Sequence, residues 1–413
     1  MENNNFRIYG YRWVVLLSFM VVVITNQLLW ITFAPVTGTA VTYYGVSDLS
    51  IGLLSMIFMI VYILVSIPAS WIIDTYGIRV AVGIGAALTG IFGLMRGLLA
   101  HSYTGVLVAQ IGIAIGQPFI LNAITSVAAR WFPIRERATA AGLGTLAMYI
   151  GIATALILTP YLTIHSQING MLLFYGIVSV IAAILFFIFV RERPPSPPCP
   201  PDREERSLVF NGLKESFRNP DFILLMIVFF VGLGIFNSVT TWIEDIVRPR
   251  GFSIIQAGNT GGLMIAGGII GAVLIPILSD RARKRTPYLR LAVIGATLGL
   301  LGITFALSYW LLLISAFIFG FFLLSAGPVG FQYGAEVTYP APEGTSNGLL
   351  LLMGQISGIA FIVGMDSFKS TETGSMTASL IALIGFMVIS LFLCFRLNEA
   401  RILITEDKKY ENE

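Results

Sequence analysis

Residues 191–207 read RERPPSPPCPPDREERS and open a polar stretch that extends to Pro220. The stretch holds six prolines between Pro194 and Pro201, near the midpoint of 413 residues. Proline fixes φ and lacks a backbone N–H, so this run cannot form a helix interior. Almost only apolar sequence lies on either side. We interpret residues 191–220 as a cytoplasmic linker between two membrane-embedded halves. The alternative is a lumenal loop with no organising role.

The two halves repeat each other at an offset of about 206 residues, which is typical of transporters built from parallel repeats. Asp74, which ends one apolar run, corresponds to Asp280. A second loop repeats as well, with Phe132-Pro133 and Glu136 corresponding to Tyr339-Pro340 and Glu343. Both correspondences fall in the same kind of connection between apolar runs. We therefore expect two related bundles joined by the linker.

The composition excludes an ordinary soluble domain. Hydrophobic residues make up 56% and charged residues 11%, against roughly 25% charged in soluble domains. The two cysteines, Cys199 and Cys394, are too few for a disulfide framework. The N-terminus lacks the short apolar region and cleavage site of a signal peptide, so we expect the first apolar segment to be a retained span.

Twelve segments are long and apolar enough to cross a bilayer, for which about 20 residues are needed. They cover residues 12–36, 50–73, 79–100, 103–129, 138–162, 169–190, 221–245, 256–278, 287–307, 309–334, 344–366 and 374–396. The sequence thus predicts an all-α membrane protein with twelve transmembrane helices. Its parts are a six-helix bundle (1–190), the linker (191–220), a second six-helix bundle (221–396) and a cytoplasmic tail (397–413).

The basic residues predict the orientation. With the N-terminus inside, the cytoplasmic connections and tails hold 21 of the 25 Lys and Arg residues. Arg248, Arg250 and Lys369 fall on the other face, and Arg96 falls within a span. Such an excess follows the positive-inside rule, so we expect cytoplasmic N- and C-termini and a multi-pass location in the cell membrane.

A compact charged connection follows the second span. Asp74, Gly77 and Arg79 place an acid at one helix end, a glycine at the turn and a base at the next helix. The pattern resembles the signature of the major facilitator superfamily, G-x-x-x-D-R-x-G-R-R, with Ser70 and Thr75 as departures. Asp280 and Arg281 repeat it in the second half. We expect a gating latch made by Asp74, Gly77, Arg79, Asp280, Arg281, Glu136 and Glu343. The alternative is that these charges only anchor helix ends.

Several further motifs resemble the feline leukaemia virus subgroup C receptor-related family of twelve-span facilitators. They are Tyr11-Arg-Trp-Val-Val-Leu-Leu, Asn26 with Trp30, Leu54-Ser-Met56, Gln117-x-Phe-Ile-Leu121, Asn219-Pro220, Gly330-Phe-x-x-x-x-Glu336-x-Thr-Tyr-Pro340, Glu343-Gly-Thr-Ser-x-Gly348-Leu-Leu and Gln355 with Gly358. The resemblance covers spans 1–11. Animal members of the family are associated with choline and ethanolamine transport, and with haem in an older assignment.

The resemblance implies a cage for a quaternary ammonium, built from a Trp on span 1, a Tyr on span 7 and Gln on spans 5 and 11. This chain has Trp30 and Gln355 at two of those positions, but Asn237 and Tyr149 at the others. Counted from the predicted cytoplasmic ends at ~1.5 Å per residue, the four lie roughly 16–27 Å into a core about 30 Å thick. We expect Trp30, Asn237, Tyr149, Gln355, Asn26 and Gln117 to contact substrate at the repeat interface. The alternatives are a packing role for Trp30 and an interhelical hydrogen bond for Gln355.

Other polar residues within or beside the spans leave two interpretations each. Arg96 either extends to the outer surface or binds an anion, since a charge within a span is costly. Three residues on span 4 either line a pathway or join helices: Gln110, Gln117 and Asn122. Glu244 and Asp245 are expected to be outer-rim charges beside Arg248 and Arg250, the alternative being proton carriers.

The leading hypothesis is a transporter that moves a small amine, quaternary ammonium or zwitterion by alternating access. An organic-anion carrier that uses Arg96 is the second hypothesis, and a non-transporting receptor or sensor is the third. No phosphate-binding loop, catalytic set or metal-ligand spacing occurs, so we expect no enzyme, cofactor or metal site. The expected partners are a small solute and the lipid bilayer, not nucleic acid, and a monomer is compatible with the sequence.

Overall fold

The computed structural model describes residues 7–196, 217–339 and 343–399, and the regular secondary structure in these ranges is helical. Within them, eleven helical stretches are long and apolar enough to cross a membrane. One of the eleven contains two helices that meet at Gln167, where the backbone leaves the helical region. Counting that stretch twice gives twelve spans, which confirms the predicted all-α membrane fold.

The first six spans run between residues 12 and 189. Their bounds are α1 Arg12–Ile31, α2 Asp48–Tyr76, α3 Ile78–Leu98, α4 Tyr103–Leu121, α5 134–166 and α6 168–189. A 3₁₀ turn at Ala34–Val36 and a short helix at Thr37–Tyr44 follow α1. A short helix at Ile124–Trp131 follows α4.

The second six spans run between residues 220 and 396. Their bounds are α7 Pro220–Thr241, α8 Ile254–Ala282, α9 Thr286–Phe305, α10 Tyr309–Thr338, α11 Glu343–Ser367 and α12 Thr377–Arg396. A short helix at Ile243–Val247 and a 3₁₀ turn at Arg248–Arg250 follow α7. The first and seventh spans, which begin with α1 and α7, are therefore both interrupted near one end.

The connection between α5 and α6 is shorter than the sequence predicts. The prediction left residues 163–168 as a loop, whereas a single non-helical residue, Gln167, separates the two helices. Its φ of 57° with ψ of −179° lies in a region that residues other than glycine seldom adopt. The polar run from His165 to Asn169 contains neither proline nor glycine, so nothing in its composition ends the helices earlier.

The chain divides into two compact units, Met1–Glu204 and Glu205–Glu413, and the division falls within the predicted linker. Each unit has the same internal pairings. In the first, α1 packs beside α5, α2 beside α4, and α3 beside both α4 and α6. In the second, α7 packs beside α11, α8 beside α10, and α9 beside both α10 and α12. The weak sequence repeat thus reflects one packing scheme used twice.

Small residues allow close helix approach inside a unit. A Cβ added to Gly85 on α3 would lie 2.8 Å from the carbonyl oxygen of Gly116 on α4. Helices in a membrane associate through such close packing, because lipid tails are as apolar as the side chains.

The first residues of the predicted linker belong to the first unit. The Trp131 indole N–H donates to the Arg191 carbonyl (3.2 Å), and the Tyr9 hydroxyl donates to Ser196 Oγ (3.3 Å). The predicted linker therefore begins too early, because main-chain and side-chain groups at 191–196 find partners near the start of α1 and α5. Residues 197–216 lie outside the described part of the chain.

Candidate functional site

Trp30 occupies a fixed position near the end of α1. Its side chain is 6% exposed, and its indole N–H donates to the carbonyl of Ser55 on α2 (3.1 Å). A buried Trp needs such a partner for its polar edge. The bond holds the ring through its edge and does not involve the aromatic face. The described contacts place Trp30 inside the first unit and not on its lipid-facing surface.

Asn26, one turn before Trp30, has no exposed surface. Its Nδ2 donates to Thr89 Oγ1 on α3 (3.1 Å) and lies 3.5 Å from the Ile113 carbonyl on α4, while its Oδ1 accepts from Gln27 Nε2 (3.4 Å). Because both ends of the amide are engaged by protein groups, Asn26 joins three helices. We leave it out of the proposed solute contacts.

Gln117 differs from the other amides of α4. Gln110 donates to the carbonyls of Leu29 and Leu54, and Asn122 Nδ2 donates to Ser66 and Ser70 on α2. Those two amides join helices, which settles the interpretation that the sequence left open for them. Gln117 is 7% exposed, and its amide has no hydrogen bond to the described residues. A buried amide without a protein partner is a candidate for contact with solute or water.

Tyr149 lies on α5 beside α1. A Cβ added to Gly151, two residues further along, would lie 2.9 Å from Cβ of Gln27. This packing places Tyr149 at the level of the residues that precede Trp30. Tyr149 is half-buried, and its hydroxyl makes no hydrogen bond within the described ranges.

Asn237 and Gln355 come together in the second unit. Asn237 Nδ2 donates to the carbonyl of Gly354 on α11 (3.2 Å), the residue directly before Gln355. Asn237 is 9% exposed and Gln355 is half-buried. Among the described residues, neither the Asn237 Oδ1 nor the Gln355 amide has a hydrogen-bond partner. The pairing of α7 with α11 thus places Asn237 against the backbone next to Gln355.

Arg96 does not extend to the outer surface, so that interpretation is wrong. Its side chain is 0% exposed, and its guanidinium donates to the Leu29 carbonyl (3.0 Å), Gln110 Oε1 (2.8 Å) and Thr32 Oγ1 (3.3 Å). The side chain points inward because three hydrogen-bond acceptors, at the end of α1 and on α4, lie there. It presents no accessible surface to an anion.

Glu244 and Asp245 form a buried ion-pair cluster and not an exposed outer rim. Arg248 contacts Glu244 (3.0 Å) and Asp245 (2.6 Å), as predicted, and Lys369 contacts Asp245 (2.8 Å). Arg250 is also nearby, because its guanidinium donates to the carbonyl of Ile246 (3.1 Å), but its other donors bind the carbonyls of Ile303 (2.7 Å) and Ala306 (3.0 Å) at the end of α9. Both carboxylates are buried because cations from two connections surround them.

The predicted gating residues lie near the helix ends on one face of each unit, which we call the terminal face: the face at which the unit's first helix begins. Glu136, at the start of α5, pairs with Arg12 at the start of α1 (3.2 Å). Asp74 and Arg281 are exposed, as is the side chain of Arg79. Gly77 has a φ of 94° between α2 and α3. The Glu343 side chain lies outside the described part of the chain.

A carboxylate that the sequence analysis did not select caps α3. Glu192 accepts from the backbone N–H groups of Ile78 (3.3 Å) and Arg79 (2.7 Å) and pairs with Arg130. In the second unit Glu399 accepts from the N–H groups of Arg285 (3.0 Å) and Thr286 (2.9 Å). Glu192 and Glu399 are one repeat apart, and the matched acids after the sixth and twelfth spans were the signal that could have revealed them.

Arg285 joins three parts of the second terminal face and was also missed. It pairs with Asp280 at the end of α8 and with Glu336 on α10 (3.0 Å). Although burial by itself lowers the pKa of Arg285, its hydrogen bonds to Glu336 and Asp280 outweigh burial and raise the pKa above its ordinary value. Asp280 therefore pairs with Arg285, whereas Arg281 is exposed. In the described residues, no group of three or more His, Cys, Asp or Glu side chains could hold a metal ion.

The sequence profile of the Major Facilitator Superfamily matches residues 9–362. The chain belongs to the major facilitator superfamily. This facilitator is 32% identical over 376 residues to Solute carrier family 49 member A3 of Xenopus tropicalis, covering 87% of the chain and 78% of that relative. It is 29% identical over 406 residues to the Choline/ethanolamine transporter FLVCR1 of Felis catus, covering 92% and 72%. These relatives confirm the predicted family resemblance.

Solved structures agree on the fold. A bacterial homologue of the human lysosomal transporter Spinster, solved in an inward-facing and unoccupied conformation, gives a TM-score of 0.76 at 18% identity, covering 97% of this facilitator and 99% of that chain. A D-xylose–proton symporter gives a TM-score of 0.74 at 15% identity, covering 95% and 99%. These structures show the fold, while the family match and the relatives show a multi-pass membrane transporter of a small solute and not an enzyme.

Proposed function

We propose that this facilitator moves a small quaternary ammonium, amine or zwitterion across the cell membrane by alternating access. Trp30 carries the proposal, because its polar edge is bonded to Ser55 and its aromatic face is not used by that bond. An aromatic face attracts a cation through the ring quadrupole, worth roughly 2 kcal/mol or more when the pair is desolvated. The similarity to the Choline/ethanolamine transporter FLVCR1 of Felis catus supports this class of solute.

The polar groups of both units suit the same solute class. In the first unit the Gln117 amide has no hydrogen-bond partner among the described residues, and in the second unit the same is true of the Gln355 amide and of the Asn237 Oδ1, whose own Nδ2 is bonded to Gly354. Amide groups bind hydroxyl, amine and carboxylate groups without requiring a net charge. A solute with an ammonium group and a small polar end fits these chemistries. Tyr149 provides a second aromatic ring, whose hydroxyl makes no hydrogen bond to the described residues.

The organic-anion carrier has less support. Its counter-charge would be Arg96, whose donors already serve three protein acceptors and whose side chain has no exposed surface. Uptake of choline and of a carboxylate of similar size into proteoliposomes distinguishes the two carriers. Absence of any uptake would favour the receptor hypothesis.

Substitution of Trp30 tests the proposed contact. In proteoliposomes reconstituted with the purified protein, Trp30→Ala should weaken choline binding by about 2 kcal/mol. Trp30→Phe should retain part of the affinity, because a phenyl ring keeps a weaker quadrupole. Gln355→Ala should be the mildest of the three, at about 1 kcal/mol, because water can replace one hydrogen-bonding group.

A matched control and a neutral solute make this test specific. Trp310→Ala removes the same side chain from a position that is 75% exposed, and it should leave choline affinity unchanged. The carbon isostere of choline, in which a quaternary carbon replaces nitrogen, should lose most of its dependence on Trp30. Equal choline affinity in wild type and Trp30→Ala would refute the proposed site.

A further inference from the structure

The first span is interrupted one residue after Trp30. The helix ends at Ile31, and a 3₁₀ turn at Ala34–Val36 precedes the next helix, Thr37–Tyr44. The last four carbonyls of a helix have no intrahelical donor and need other partners. Here the Thr32 hydroxyl lies 2.8 Å from the Leu28 carbonyl and 3.2 Å from the Leu29 carbonyl. The break therefore exposes polar groups inside the first unit, directly beside the proposed aromatic contact.

Arg96 on α3 meets this break. Its Nη1 donates to the Leu29 carbonyl and its Nη2 to Thr32 Oγ1, so one guanidinium spans the last turn of α1 and the first residue beyond it. The guanidinium carbon also lies 5.9 Å from the centre of the Phe33 ring. Arg96 thus contacts residues on both sides of the break, as a planar group with several fixed donors can.

Gln110 on α4 joins Arg96 to α2. Its Oε1 accepts from Arg96 (2.8 Å), and its Nε2 donates to the carbonyls of Leu29 (3.3 Å) and Leu54 (3.0 Å). The next carbonyl along α2, that of Ser55, accepts from the Trp30 indole. Gln110 and Trp30 therefore bind consecutive carbonyls of the same helix. Hydrogen bonds thus join Arg96 to Gln110 and Gln110 to α2, and the adjacent carbonyl of α2 holds the Trp30 ring.

The charge of Arg96 is balanced by dipoles. Among the described residues it forms no ion pair, and its Nε has no hydrogen-bond partner. The C-terminal end of a helix carries a negative partial charge, and the end of α1 is where the guanidinium lies. An uncompensated buried charge is costly, so its two hydrogen bonds to this end and its third, to Gln110 on α4, are the interactions that retain it there.

We propose that Arg96 and Gln110 are positioning residues that hold the broken end of α1 and thereby fix the Trp30 ring for solute. This inference rests on the proposed role of Trp30. It adds residues on α3 and α4 that touch no solute themselves. Their effect on affinity passes through the geometry of residues 29–32.

Hydrogen–deuterium exchange and choline binding on the purified full-length protein test the proposal. Arg96→Lys keeps the charge, but a single ammonium cannot reproduce the planar fork that reaches Leu29, Thr32 and Gln110. We expect backbone amides of residues 32–37 to exchange about tenfold faster and the choline Kd to rise about tenfold. Gln110→Leu, of similar volume, should act in the same direction and serves as the second variant if Arg96→Lys does not fold.

Arg250→Lys is the matched control. Arg250 is also a clamp, since it donates to the carbonyls of Ile303 and Ala306 at the end of α9, but it lies in the second unit. Its replacement should leave exchange at residues 32–37 as in wild type. A change there in Arg250→Lys would show a general loosening and would overturn the assignment to Arg96.

The outcomes separate this proposal from the proposed function. Faster exchange at the break with a weaker choline Kd supports positioning. Unchanged exchange in both Arg96→Lys and Gln110→Leu overturns it, whatever Trp30 does. Faster exchange with an unchanged choline Kd also overturns it. Trp30→Ala then tests the proposed function separately. Weaker choline binding in Trp30→Ala retains the proposed function, whereas unchanged binding in Trp30→Ala refutes the proposed function as well.

Discussion

Removal of the Glu192 carboxylate should destabilise the first unit, and the contacts of Glu192 give the expected loss in the free energy of unfolding. Glu192 accepts from the first two N–H groups of α3 and pairs with Arg130, with its side chain 33% exposed. A capping side chain contributes about 1 kcal/mol, and its charge at a helix N-terminus adds roughly 0.3–1 kcal/mol. A partly exposed ion pair adds about 0–1 kcal/mol. We therefore expect Glu192→Ala to lower the free energy of unfolding by about 2 kcal/mol.

Glu192→Gln separates the cap from the charge. The amide keeps one acceptor oxygen but loses the charge, so we expect a loss of about 1 kcal/mol, half that of Glu192→Ala. Unfolding of the purified protein in mixed detergent micelles measures both values. Glu399→Ala should match Glu192→Ala, because Glu399 accepts from two N–H groups at the start of α9 in the same way.

Glu372→Ala is the control for these variants. Glu372 is exposed between α11 and α12, and we expect its replacement to change stability by less than about 0.5 kcal/mol. The reasoning fails if Glu192→Ala unfolds like the Glu372→Ala control. It also fails if Glu192→Gln and Glu192→Ala lose equal stability, since the carboxylate charge would then contribute nothing.

Three further predictions concern the terminal face and the linker. Gly77→Ala should lower the free energy of unfolding by about 2 kcal/mol. A φ of 94° with ψ of 173° is a backbone conformation that mainly glycine adopts, and the new Cβ would displace the Glu192 carboxylate. Gly142→Ala, at an open position on α5, is the control and should be neutral in the same unfolding assay. Asp74→Asn should slow solute exchange more than it weakens choline binding, since Asp74 is exposed at the end of α2; a collapse of affinity with unchanged exchange would contradict the latch. Replacement of residues 197–201 by a Gly/Ser run should leave uptake unchanged, because their proline-rich composition cannot bury apolar surface; loss of uptake in correctly inserted protein would disprove it.

The apolar runs were sufficient to predict the spans. A membrane requires long helices with satisfied backbone groups, so length and composition alone identify them. The α5–α6 connection was predicted less well. Its hydrophobic pattern stops near residue 162, but α5 continues to residue 166 because no helix-ending residue occurs in the interval. Hydropathy reports what contacts lipid and does not report where a helix ends.

The candidate site likewise has features that the sequence predicts and features that it does not. Sequence similarity and helix rise were enough to select Trp30, Asn237, Tyr149 and Gln355, because depth along a span follows from counting residues. Counting could not show that Asn26 is engaged on both sides of its amide while Gln117 is not. That difference depends on which groups of the neighbouring helices lie opposite each amide, and for Asn26 these are Thr89 on α3 and the Ile113 carbonyl on α4.

The sequence by itself therefore determined the fold class, the repeat and the family, since these depend on local composition and on spacing along the chain. Only the tertiary structure decided which polar groups pair. Arg96 meets Leu29 across 67 positions of the chain, and Glu192 meets Arg79 across 113. Hydrogen bonds require donors and acceptors within about 3 Å. Such contacts arise only after helices distant in sequence have packed, so no local pattern records them.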